Sequence, residues 1–191
     1  KQRFINSTGE YKNSGLILQK MDFEKKVNSA YSKIRNQGLD LISILNEKIQ
    51  NDNIVKQGNY LTDGIDTTFV NYDNHIYIFT DGYLEYMNNK DNSQFYFGNS
   101  QIEKIRNFCQ SKSLTVQKAL EMDDKLGLPA TKIENIKLIN LHIYETHERD
   151  KNDKLLNYKN VQGLRDNEIL EAVWRKWAIE SGFKSFEWKK Y

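Results

Sequence analysis

The sequence predicts an α/β fold: a three-layer, doubly wound and mainly parallel sheet with helices on both faces. Three features lead there. Two apolar runs, HIYIFT at 75–80 and KLINLHIY at 137–144, have the length and the β-branched and aromatic content of buried strands. Ile169, Leu170, Val173, Trp174, Trp177 and Ala178 recur at helical spacing and form a broad apolar stripe. Strand-like and helix-like segments alternate across short connections, as the crossovers between parallel strands require.

Residues 1–20 read as one or two short strands, of which SGLILQ at 14–19 is the clearer. A helical pattern then runs from Asp22 to Gln50, carried by Phe23, Val27, Ala30, Tyr31 and Ile34 and then by Leu41, Ile42, Leu45 and Ile49, with Gly38 dividing it in two. The Asn-, Asp- and Gly-rich stretch 51–74 reads as a long loop, since Gln57-Gly58-Asn59 and Thr62-Asp63-Gly64 are turn formers. Within it, IDTTFVNY at 65–72 suits a short strand or hairpin arm. After the central strand at 75–80 and a polar turn at 88–93, Ser100-Gln101-Ile102-Glu103 predicts a capping box at a helix start. A second helical piece at 115–122 stops before Gly127-Leu128-Pro129, because proline lacks the amide that would continue it. Asp166 is placed to N-cap the last helix, and a lysine-rich closing strand at 184–188 suits a solvated sheet edge.

The length fits one α/β domain over residues 1–191, large enough for a continuous core. With 28 Lys and Arg against 26 Asp and Glu, the chain carries no strong field for nucleic acid or acidic membrane, so no nucleic-acid partner is expected. An aromatic content of 12% argues for a packed core, despite the polar average. No apolar run approaches the length of a membrane span, which predicts a soluble chain without a transmembrane segment. The first residue is Lys1, so removal of an N-terminal segment is expected, and the location stays open between cytoplasmic and exported. The lone Cys109 excludes an intramolecular disulfide and falls on the apolar side of a helix with Ile102, Ile105 and Phe108.

The strand that ends in Thr80-Asp81-Gly82 delivers a carboxylate to the crevice where open α/β sheets bind ligands. Together with the helical region opening at Gly38-Leu39-Asp40-Leu41 and the later strand and amphipathic helix, it resembles the von Willebrand factor A domain over about the last three quarters of the chain. The resemblance implies a Rossmann-like sheet and a metal-ion-dependent adhesion site made of an Asp-x-Ser-x-Ser loop, a threonine loop and a third loop of T-D-G type. Asp81 matches the third. Gly38-Leu39-Asp40 stands where Gly-Thr-Asp is expected, and no Asp-x-Ser-x-Ser occurs, so the site is degenerate or its first strand lies ahead of Lys1. One carboxylate holds Mg²⁺ weakly, because that ion demands near-octahedral oxygen coordination. The expected cofactor is therefore none, or a weakly bound divalent cation, Mg²⁺ or Ca²⁺. The implied function is a non-catalytic binding module of bacterial type that engages a protein partner through Asp81, Tyr83 and Tyr86.

A second expectation comes from Tyr144-Glu145-Thr146-His147-Glu148-Arg149-Asp150, the densest ionisable cluster. Alternation would put Glu145 and His147 on one side with Glu148 opposite. If they meet Asp81 across neighbouring strand ends, Asp81, Glu145 and His147 form a metal site, and the chain reads as a metal-dependent hydrolase or nuclease. The commoner outcome for Glu148 and Arg149 is local pairing or solvation. No Gly-rich phosphate loop, G-x-S-x-G elbow or H-E-x-x-H occurs.

Overall fold

The computed structural model describes residues 13–32, 38–51, 54–86, 93–152, 154–159 and 163–190. The chain divides into two units, Lys1–Gln37 and Gly38–Tyr191. The first contains helix α1 (Asn13–Tyr31). Residues 14–19, expected as a strand, are therefore helical. Their apolar run does not alternate, so it has no strand period to defend, and the turns that follow add Lys20–Glu24 and Asp22–Lys26 pairs at helical i,i+4 spacing.

The second unit is mixed α/β. It runs α2 (Leu41–Asn51), β1 (Asn59–Thr62), β2 (Thr67–Val70), β3 (Asn74–Thr80), α3 (Asn99–Lys112), α4 (Val116–Met122), β4 (Ile139–Glu145), β5 (Lys151–Asn152), β6 (Asn157–Tyr158), α5 (Asp166–Ser181) and β7 (Ser185–Lys190), with 3-10 turns at Asp124–Leu126 and Glu134–Leu138. Strands β3, β4 and β7 form one parallel sheet in that spatial order, while β1–β2 and β5–β6 are small antiparallel ladders. The expected polar turn at 88–93 lies, apart from Ser93, outside the described residues.

The register places Ile76, Leu141 and Phe186 side by side, then Ile78, Ile143 and Trp188, then Thr80, Glu145 and Lys190. This face packs into the core with the apolar sides of α3, α4 and α5, where Ile169, Val173, Trp174, Trp177 and Ala178 are wholly buried. Both crossovers step the same way across the sheet, and right-handed crossovers then put their helices on one face. The opposite face carries His75, Tyr77 and Phe79 from β3, Asn140, His142 and Tyr144 from β4, and Ser185, Glu187 and Lys189 from β7, with Tyr77 and Phe79 more than half exposed.

Three helix starts differ from expectation by a residue or two. Helix α3 is capped at Gly98, whose amide donates to Gln101 Oε1 at 3.1 Å, so Gln101 reaches back in place of Glu103. Glu103 instead turns to Arg106. Helix α5 is capped at Arg165, whose amide donates to Glu168 Oε2 at 2.9 Å, and Asp166 is its first residue. Thr115, expected as the first helical residue, instead caps α4, accepting from the Lys118 amide.

Gly82 sets the exit from β3. Its φ of +86° lies in the left-handed region, and a Cβ there would stand 2.9 Å from the Trp188 ring and 3.2 Å from Leu170. The turn is tied to the helix layer by Trp174 Nε1, which donates to the Gly82 carbonyl at 2.8 Å. Gly82→Ala is expected to destabilise the fold by roughly 1–2 kcal/mol through backbone strain and crowding. Urea denaturation measures this, and a change below about 0.5 kcal/mol, the size of an ordinary surface substitution, would show that the turn tolerates a side chain.

Candidate functional site

The carboxyl ends of β3 and β4 lie side by side, with Thr80 opposite Glu145. Beyond them the chain makes two tight turns. Thr80 Oγ1 accepts from the Gly82 amide at 3.1 Å and Asp81 Oδ1 accepts from the Tyr83 amide at 3.2 Å, an arrangement native to Thr and Asp side chains in turns. Asp81 is thereby held with its second oxygen, Oδ2, turned to Arg149.

Arg149 links the two strand ends. Its Nε donates to Asp81 Oδ2 and its Nη1 to Glu85 Oε2, both at 2.5 Å, and its guanidinium carbon lies 4.1 Å from the Tyr83 ring centroid. Burial alone would lower the guanidinium's proton affinity, but the hydrogen bonds to Glu85 and Asp81 outweigh it and hold the cation. Glu85 is itself positioned at the start of α3, where its Oε1 accepts from the Asn99 amide at 3.4 Å.

Beneath this rim lies a buried polar group. Tyr83 is 6% exposed, and its hydroxyl donates to Asp166 Oδ2 at 2.6 Å. Burial, and then the Asp166 carboxylate, push that phenol well above its ordinary range. Arg106 donates to the other oxygen of Asp166 and, through Nε, to the Leu164 carbonyl at 3.0 Å. Asp150 Oδ2 accepts from the Asp166 amide at 3.1 Å, which satisfies a free donor in the first turn of α5. Glu148 accepts from Asn167, from the Tyr158 hydroxyl at 3.0 Å and from Lys190 at 3.3 Å.

Glu145 is 3% exposed and accepts from Trp188 Nε1 at 3.3 Å. Burial raises its carboxyl to about 7; Trp188 and Lys190 oppose that rise, and Glu148 and Asp150 add to it. The Glu145 carboxyl therefore changes charge near neutrality.

These positions answer the expectations for the strand ends one by one. Asp81 is on the rim and paired. Tyr83 is buried beneath Arg149, so the face expected from its ring belongs to the guanidinium. Tyr86 is partly buried and joins Gly38 in an isolated β-bridge. Glu145 faces the helix layer, but His147 is exposed; β4 ends at Glu145, and the alternation that would align the two stops there. Among the described residues no group of three or more His, Cys, Asp or Glu is arranged to hold a metal ion. A cleft of about 550 Å³ between α4 and α5 is lined by none of Asp81, Tyr83, Tyr86, Glu145 or His147.

Arg149, Glu85, Arg106 and Asp166 organise this region; the sequence reads Arg149 as locally paired or solvated and Asp166 as a helix cap, and singles out neither Glu85 nor Arg106. For Arg149 a signal was present: neighbouring parallel strands open onto one crevice, so a cation four residues past the end of β4 stands opposite a carboxylate one residue past the end of β3.

No family model matches the chain, and neither the curated proteins nor the solved structures offer a match. Among the described residues no helix is long and apolar enough to cross a membrane.

Proposed function

We propose that this chain is a von Willebrand factor A-like binding module with a degenerate metal site, which contacts a protein partner through the rim at the ends of β3 and β4 without a cation. The Asp81–Arg149–Glu85 bridge carries this reading. The carboxylate that matches a metal ligand of that family gives its oxygens to a backbone amide and to a guanidinium. A positive charge of the chain's own thus stands against it, and as arranged these residues do not suit a resident Mg²⁺ or Ca²⁺, which needs six or more oxygen ligands. A partly exposed Arg149 backed by an aromatic ring also supports a protein contact, since arginine and tyrosine are enriched among residues that anchor interfaces.

Calorimetric titration of Mg²⁺, Mn²⁺ and Ca²⁺ tests the cation part. The expected result is no binding by the wild type and weak binding by Arg149→Ala, which releases two carboxylates. Micromolar binding by the wild type that is lost in Asp81→Ala would overturn the reading and favour metal-dependent adhesion or hydrolysis. For the partner, the immobilised chain is expected to retain a protein in the presence of EDTA, and Arg149→Glu to release it. Retention that is indifferent to Arg149→Glu would remove the rim as the contact.

A further inference from the structure

We infer that the open face of the sheet is a proton-binding site, in which His75 and His142 share one proton and close a hydrogen-bonded chain across all three parallel strands. The chain begins at Asp73, just ahead of β3, whose Oδ2 lies 3.0 Å from His75 Nε2. His75 Nδ1 lies 2.9 Å from His142 Nε2, and His142 Nδ1 lies 2.8 Å from Glu187 Oε2 on β7. The two imidazole centroids are 5.1 Å apart with planes 22° from parallel, so with nitrogens at 2.9 Å the rings meet end to end, nearly in line.

Proton counting gives the charge. The Asp73 carboxyl is held down to about 2 by hydrogen bonds from Lys184, His75 and Asn140, and Glu187 is lowered by His142 and Lys189, so both carboxylates are ionised and only accept. The outer nitrogens, His75 Nε2 and His142 Nδ1, must then both carry hydrogen. If both rings were neutral, the inner nitrogens would present two lone pairs to each other at 2.9 Å. One further proton between them satisfies every link, which puts three ring hydrogens and one positive charge on the pair. Losing it forces either lone-pair repulsion or a tautomer change that gives up a carboxylate.

The charged and titratable groups around the pair are Asp73 and its partner Lys184, Glu187 and its partner Lys189, and the Tyr77 and Tyr144 rings on the same face. They leave the pair flanked by two carboxylates, each already neutralised by a lysine, so the shared proton is the remaining charge. A metal ion does not fit between the rings, because two imidazole nitrogens in line on Zn²⁺ stand about 4 Å apart.

Histidine-selective ¹⁵N NMR of the whole chain between pH 5 and 9 tests this, with the exposed His147 as internal reference. The expected spectrum contains three ring hydrogens over His75 and His142, one on each outer nitrogen and one shared by the inner two, so that His75 Nδ1 and His142 Nε2 differ from the ring nitrogens of His147. His142→Gln is expected to abolish the signal of the shared hydrogen. A wild-type spectrum in which no hydrogen lies between His75 Nδ1 and His142 Nε2 at any pH in that range would overturn the inference without any variant.

Discussion

Arg106→Met is expected to lower folding stability by about 3–5 kcal/mol, the cost of leaving one member of a buried ion pair alone. Arg106 is 3% exposed, and its removal strips the guanidinium from Asp166 while Tyr83 still points its hydroxyl at the same carboxylate. It also leaves the Leu164 carbonyl without its donor. Asp166 stands in the first turn of α5, so the unpaired charge sits where β3, α3 and α5 join. Replacing both partners, Arg106→Met with Asp166→Asn, removes the charge while keeping an acceptor for Tyr83. The double variant is expected to be more stable than Arg106→Met alone. Urea denaturation with an unchanged m-value measures both changes. A loss below about 1 kcal/mol in the single variant, the scale of an exposed pair, would show that the group is hydrated rather than buried.

The second large effect is a pH dependence centred on Glu145. Its carboxyl is raised from an ordinary 4.5 to about 7 in the folded chain, with burial as the main cause. Between those values the folded state binds more protons than the unfolded state, so stability falls as pH rises through that window and levels off above it. Each pH unit of that window costs about 1.4 kcal/mol, so the loss is roughly 2–3 kcal/mol between pH 5 and pH 9. Glu145→Gln keeps an oxygen for Trp188 and carries no charge, so its stability should lack this component. The difference between wild type and variant at each pH isolates Glu145 from every other titrating group. The variant is expected to be slightly less stable or equal at pH 5 and more stable at pH 9. A difference that does not change with pH would mean that Glu145 ionises as a solvated carboxylate does.

The two expectations share a physical origin, in that both concern charged groups placed within the helix layer. Their legibility in the sequence differs. Glu145 lies in an apolar run, and in β4 it follows Ile139, Leu141 and Ile143 at strand spacing, so its direction is set by the same period of two that buries them. Arg106 lies on the apolar side of α3 among Ile102, Ile105 and Cys109, yet a helical arginine at such a position is equally able to extend its stem to solvent. What settles its course is Asp166, which lies 60 residues away. His147 shows the converse: its spacing from Glu145 suggests a shared side, but the suggestion holds only while the strand continues.

Periodicity and turn chemistry by themselves determined the parallel strand segments, the buried stripe of α5, the burial of Cys109, Trp174 and Trp177, and the delivery of Asp81 by a Thr-Asp-Gly turn to the end of a strand. These follow from interactions within a few residues, which leave a repeating mark in the chain. Only the tertiary structure decided that Arg149 stands against Asp81, that Tyr83 turns inward to Asp166, and that His75 and His142 meet on the open face of the sheet. Asp81 and Arg149 are 68 residues apart, and His75 and His142 are 67 apart. A side chain's charge states what it can pair with, but which partner comes within reach is set by strand order and register, and those depend on how the whole apolar core closes.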